Sequence, residues 1–207
     1  MENKNQLDDL TMIRNLMEKS TKFMSLSGLS GIFIGIYALI GAGVAYWFLK
    51  IENEFLDYER IKQGSFLLFF IADAGLVLLF SLGTTFFLSK RKSKRMGIGF
   101  WNKTAAKMVF SLTIPLAIGG ALIFVLYYHG ILWLIAPVTL IFYGMALMNA
   151  SKESIRELFF MGLFEVILGF IACFDIGYGL YYWTFGFGIL HILYGIIMYF
   201  KYDKKSL

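Results

Sequence analysis

Six apolar runs, each close to the length of a bilayer crossing, divide this chain of 207 residues. A helix rises 1.5 Å per residue, so about 20 apolar residues cross a hydrocarbon layer of roughly 30 Å. Inside that layer the backbone must satisfy its own hydrogen bonds, which leaves helices as the natural spanning element. The runs fall at 26–49, 65–88, 108–128, 131–149, 157–175 and 180–200. They predict an all-α fold, a polytopic integral membrane bundle of six transmembrane helices over residues 26–200. The 58% apolar and 16% charged composition fits an apolar solvent better than water, because soluble domains carry about 25% charged residues. The first 25 residues mix acids and bases without an apolar core, so the first run is expected to stay in the protein as a span rather than act as a cleaved signal.

Charge gives the direction. Lys4, Arg14, Lys19 and Lys22 precede the first run. Lys90, Arg91, Lys92, Lys94, Arg95, Lys103 and Lys107 follow the second, Lys152 and Arg156 follow the fourth, and Lys201, Lys204 and Lys205 close the chain. Only Lys50, Arg60 and Lys62 fall on the other side. Basic residues favour the cytoplasmic side, so both termini are predicted to be cytoplasmic and the membrane to be a bacterial inner membrane. Because the basic residues sit in gaps between apolar runs, the net charge of +5 gives no reason to expect nucleic acid. The single cysteine, Cys173, cannot form a disulfide within one chain.

Two basic segments have readings beyond topology. Leu7, Leu10, Ile13, Leu16, Met17 and Phe23 recur near helical spacing, so residues 1–25 read as an amphipathic helix lying on the inner leaflet, or as a solvated helix on the inner loops. Lys90, Arg91, Lys92, Lys94 and Arg95 are candidate contacts for anionic lipid headgroups, or simply the topology signal. Residues 201–207 form a short basic tail.

Glycines pattern the spans. GIFIGIYALI (31–40), GLFEVILGFI (162–171) and GILHILYGII (188–197) align so that Gly31, Gly162 and Gly188 coincide, as do Ala38, Gly169 and Gly195. Tyr37 matches Tyr194, and the fourth span carries a similar Tyr143-Gly144 pair. This is either the trace of a repeat or a shared need for small residues where helices approach closely. Ser27, Gly31, Gly35, Ala38 and Ala42 form such a packing stripe along the first span. Within it lies GLSG, residues 28–31, which matches the pattern around the nucleophile of intramembrane serine proteases. Ser30 and its nearest candidate base, His191, differ in depth by about 8 Å at 1.5 Å per residue, which is beyond hydrogen-bond reach. The stripe explains the match without catalysis.

Ionisable side chains inside spans are costly and therefore candidates for function. Asp73, Glu165 and His191 fall in one central slab, about 12 to 18 Å from the outer face at 1.5 Å per residue. If their helices meet, a histidine beside two carboxyls could relay protons or bind a cation; otherwise each is protonated or hydrogen-bonded within a helix contact. The three carry no metal-site spacing, and no cofactor is expected.

The stretch Ile13-Arg14-Asn15-Leu16-Met17-Glu18-Lys19-Ser20, with Phe23, residues 26–31 and Ala38-Leu39-Ile40-Gly41-Ala42, resembles the start of a group of small, uncharacterised bacterial six-span membrane proteins. GFGILHILYGIIMYFKY, residues 186–202, is similar to the end of the same group. The resemblance implies architecture. Members sometimes carry a transferred label of carotenoid-cleaving oxygenase, but such oxygenases resemble iron sites built from several histidines, and this chain has two. The expectation is therefore a non-enzymatic bundle with a transporter-like or sensing role around the central polar site. A scaffold binding a cytoplasmic protein through the N-terminal helix and basic segment is the alternative, and a membrane enzyme acting on lipid or isoprenoid a remoter one. The bilayer is the expected partner, and association into a homo-oligomer stays open.

Overall fold

The computed structural model describes residues 27–52, 64–95 and 100–204. The expected amphipathic segment 1–25, the acidic outer loop with Arg60 and Lys62, and the last residues of the tail lie outside the described residues. So does the segment on which the partner-binding reading mainly rests.

Among the described residues there is no strand, and six helices are long and apolar enough to cross a membrane. They are α1 (Gly28–Glu52), α2 (Gly64–Arg95), α3 (Lys103–Tyr128), α4 (Ile135–Ala150, entered through a 3-10 turn at Leu132–Leu134), α5 (Arg156–Phe174) and α6 (Gly179–Asp203). The protein is a multi-pass helical membrane bundle. Two turns use glycine with positive φ, Gly130 (73°) between α3 and α4 and Gly177 (96°) between α5 and α6, a conformation that costs other residues steric strain.

Three boundaries differ from the hydropathy reading, and each has a local cause. α2 continues to Arg95, so the basic run forms its last turns rather than a loop; Lys and Arg are good helix formers and suit the negative end of the helix dipole. α3 starts at Lys103 because Asn102 caps it, its side chain accepting from the Ala105 N–H at 2.8 Å. α6 runs on to Asp203, so the tail's first residues are helical.

α3 also contains Pro115. A proline has no N–H to offer the carbonyl four residues earlier, here that of Ser111. Asn149 on α4 fills the role, its Nδ2 donating to the Ser111 carbonyl at 2.9 Å. The break in α3 thereby becomes a link between α3 and α4.

Lipid is as apolar as leucine, so helices associate through close packing rather than burial from water. α1 and α6 cross where Gly28, Gly31 and Gly35 face Gly195 and Gly188. A Cβ on Gly35 would lie 2.5 Å from the Gly188 carbonyl oxygen, and one on Gly195 2.5 Å from the Ile32 nitrogen. Ser27, Gly31, Gly35, Ala38 and Ala42 are all buried. α4 and α5 repeat the device, with Gly144 and Gly162 each placed so that a Cβ would come 2.5 Å from the other's carbonyl oxygen. The three aligned segments are thus all contact faces. α6 packs on α1, α4 and α5, and α3 packs on α4. α2 packs chiefly on α1, with little of its apolar length buried.

Two clusters hold one end together, called here the basic end because the basic termini of α2, α5 and α6 lie there. Ala105, Met108, Leu147, Ala150, Leu158 and Met198 belong to a buried core joining α3, α4, α5 and α6. Asp203 of α6 accepts from the Ser27 hydroxyl (3.1 Å) and the Gly28 N–H (2.9 Å), capping α1, and pairs with Lys92 of α2 at 2.7 Å. Of the five basic residues considered as lipid contacts, Lys92 is drawn into this pair, and Lys90, Arg91, Lys94 and Arg95 are exposed.

Candidate functional site

Glu165 and His191 meet inside the bundle. Glycine packing brings them there. Gly144 and Gly162 set the separation of α4 and α5, and Glu165 stands one turn beyond Gly162. Gly186 leaves the space its own Cβ would need, since that atom would lie 2.5 Å from Glu165 Oε2. Glu165 is 0% exposed and His191 2%.

Local backbone geometry orients the imidazole. Residues Thr184–Leu190 form a π-helical turn, whose wider winding brings residues five apart into register. Gly186 and His191 are so related, and His191 Nδ1 lies 3.2 Å from the Gly186 carbonyl oxygen. A carbonyl can only accept, so Nδ1 carries the proton and Nε2 is left to accept. Nε2 faces the Tyr143 hydroxyl at 2.8 Å, and that hydroxyl donates to it. Phe187 stacks on His191 (ring centroids 5.8 Å) and Trp183 packs tilted against Phe187 (4.8 Å), which closes the side away from the basic end.

The carboxyl is less well served. His191 Nδ1 is 3.6 Å from Glu165 Oε1, too far for a hydrogen bond, and among the described residues neither carboxyl oxygen has a hydrogen-bond partner. Leu140 and Leu168 side chains converge with Oε2 at the Gly186 backbone. A carboxyl in such surroundings must hold a proton or gain a cation, because an isolated charge in an apolar medium is very costly. The His191 Nδ1–H therefore has two acceptors within a small movement, the Gly186 carbonyl and Glu165.

Asp73 does not join them. It projects from α2 onto α1 at Gly41, where a Cβ would lie 3.4 Å from Asp73 Oδ2. Gly41 is turned by about 120° from Gly35, at 100° per residue, so α1 presents one side to α2 and another to α6. Depth alone could not reveal this, because it says nothing of which helices are neighbours. Sequence reasoning passed over Tyr143 as a site residue, although its pairing with Gly144, like that of Tyr194 with Gly195, was the available signal. Ser30 is buried and donates to the Ser27 carbonyl at 2.6 Å, and both His191 nitrogens are engaged elsewhere, so His191 does not serve the GLSG motif as a base. His129 ends α3 at the exposed hairpin. Among the described residues no three His, Cys, Asp or Glu side chains cluster as metal ligands.

Fold and site together define a six-helix membrane protein with a buried carboxyl–imidazole–phenol cluster. Comparisons with protein-family models, curated proteins and solved structures gave no match.

Proposed function

We propose that this protein is a non-enzymatic, transporter-like bundle that carries protons through Glu165 and His191. One observation carries the reading: Glu165 is fully enclosed by protein, with neither oxygen hydrogen-bonded, beside an imidazole that has an alternative acceptor. A carboxyl serving only to fasten helices would be expected to have its donors in place. This one is arranged to change its occupant. We further propose a bacterial inner membrane with both termini cytoplasmic, a reading supported by the charge bias of the segments between spans.

The test is flux. The full chain is reconstituted into vesicles holding a pH-sensitive dye, and a potassium diffusion potential is imposed. Wild type should move protons faster than protein-free vesicles, and Glu165→Gln should fall to their level. No flux above protein-free vesicles, or full flux in Glu165→Gln, would overturn the reading.

A further inference from the structure

We infer that the cleft between α1 and α2 binds an amphiphilic organic cation, its charged head on Asp73 and its apolar body in the aromatic groove alongside. The site is separate from Glu165 and His191 and does not rest on the proton-carrying reading.

Asp73 sets the requirement. It stands mid-span on α2, half-buried, and among the described residues it has neither a hydrogen bond nor an ion pair. An unpaired carboxylate in an apolar medium is very costly, so the group keeps its proton until a cation replaces it. Val77 and Asp73 converge on Gly41 of α1, where a Cβ would lie 2.5 Å from Val77 Cγ2 and 3.4 and 3.5 Å from the carboxyl oxygens. α1 therefore answers the acid with a residue that has no side chain to donate. The nearest described base on α2, Lys90, is seventeen residues away, about 25 Å at 1.5 Å per residue.

Aromatic rings stand on both sides of the acid. Side chains lean toward the start of their helix, so Asp73 leans toward Phe70 and Phe69, three and four residues earlier. Phe69 stacks on Phe48 of α1 (ring centroids 3.9 Å), and Phe70 meets both edge-on (5.4 and 6.2 Å). Toward the basic end, Tyr37 stands one turn from Gly41 and packs on Phe33 and Phe80 (6.2 and 5.9 Å). Ring faces attract organic cations, and a carboxylate among rings is the chemistry that recognises an ammonium or phosphonium head.

From Tyr37 the cleft widens. Phe33, Tyr37, Leu79, Phe80, Thr84 and Phe87 line a groove of ≈ 580 Å³, within the range of about 300–1,000 Å³ usual for small-molecule sites. Its polar side chains, Tyr37 and Thr84, bond each other at 3.1 Å and ask nothing of a ligand. Tyr37 is about 6 Å from Gly41 along α1, so head and body positions are contiguous. Charge selects the occupant. A phospholipid keeps its charge at the membrane surface, whereas a permeant organic cation brings one to mid-span.

Binding is an exchange. The Asp73 carboxyl releases its proton to water, the carboxylate pairs with the cation, and no other bond changes. Among the described residues, the titratable groups facing α2 from the helices packed on it are Tyr37, held by Thr84, and Asp203, paired with Lys92 at the basic end. Neither supplies a base to Asp73. Affinity therefore rises with pH, by up to about tenfold per unit, while the free carboxyl is protonated.

The probe is radiolabelled tetraphenylphosphonium, measured by equilibrium dialysis on the full chain in lipid nanodiscs, with protein-free nanodiscs subtracted. Wild type should bind it saturably and release about one proton per cation bound in weakly buffered medium. Asp73→Asn should weaken binding about tenfold or more and abolish its pH dependence. Phe80→Ala should weaken it while keeping the pH dependence. Glu165→Gln should bind within about twofold of wild type. Uptake no greater than that of protein-free nanodiscs, or an Asp73→Asn affinity within about twofold of wild type, would overturn the site and leave the groove a lipid-facing surface only. Binding without proton release would overturn it too, and that measurement needs no variant.

Discussion

Replacing Glu165 with methionine should stabilise the protein while abolishing its activity. Methionine is close to glutamate in length and flexible enough to settle between Leu140 and Leu168, so the packing change costs less than about 1.5 kcal/mol. The carboxyl gives up no hydrogen bond, because neither oxygen has one. His191 keeps both of its own, to Tyr143 at 2.8 Å and to Gly186 at 3.2 Å. What is removed is a buried polar group without partners, which costs about 1–3 kcal/mol. The difference of those two terms runs from a loss of about 0.5 kcal/mol to a gain of about 3 kcal/mol, centred on a gain of ~1 kcal/mol. Reversible unfolding in mixed micelles, titrated with SDS and followed by tryptophan fluorescence, would measure it. If Glu165 and His191 instead formed a structural ion pair, removing one partner would cost about 3–5 kcal/mol. The two accounts differ in sign. A Glu165→Met protein destabilised by about 1 kcal/mol or more would refute the reasoning, since that is beyond the cost of an ordinary packing swap offset by a relieved carboxyl.

Three further outcomes follow from the packing. Gly195→Val would drive a branched side chain into the Ile32 nitrogen and Gly28 carbonyl, 2.5 and 2.7 Å from the new Cβ; it should cost at least ~3 kcal/mol in the same unfolding assay, the upper range for overpacking. Asp203→Ala removes the cap of α1 and the ion pair with Lys92, and should cost about 1–2 kcal/mol, with faster amide exchange at the start of α1. Asp73→Asn should retain vesicle proton flux within about twofold, a barrier change of ~0.4 kcal/mol, because Asp73 faces α1 rather than the Glu165 site; loss of flux would reconnect it to the mechanism.

The sequence by itself determined the architecture. Spanning a bilayer demands about 20 apolar residues, and that demand is visible in one dimension. Small residues at helical spacing marked the faces that close on one another, because only side chains of that size let backbones approach. The same pattern accounted for Ser30 without chemistry. Depth could also be counted along each span, which placed Asp73, Glu165 and His191 at one level. Only the tertiary structure decided which of them meet. Neighbouring helices are chosen by three-dimensional complementarity, here glycine against glycine, and two residues at equal depth can still stand on opposite sides of a helix. α1 separates Asp73 from the other two for that reason. The π turn at Thr184–Leu190, which aims His191 at the Gly186 carbonyl, emerged only once the chain was folded, because a backbone detour leaves no periodicity to read. Tyr143 was marked by its pairing with Gly144, but that it takes the other imidazole nitrogen depends on which helices meet.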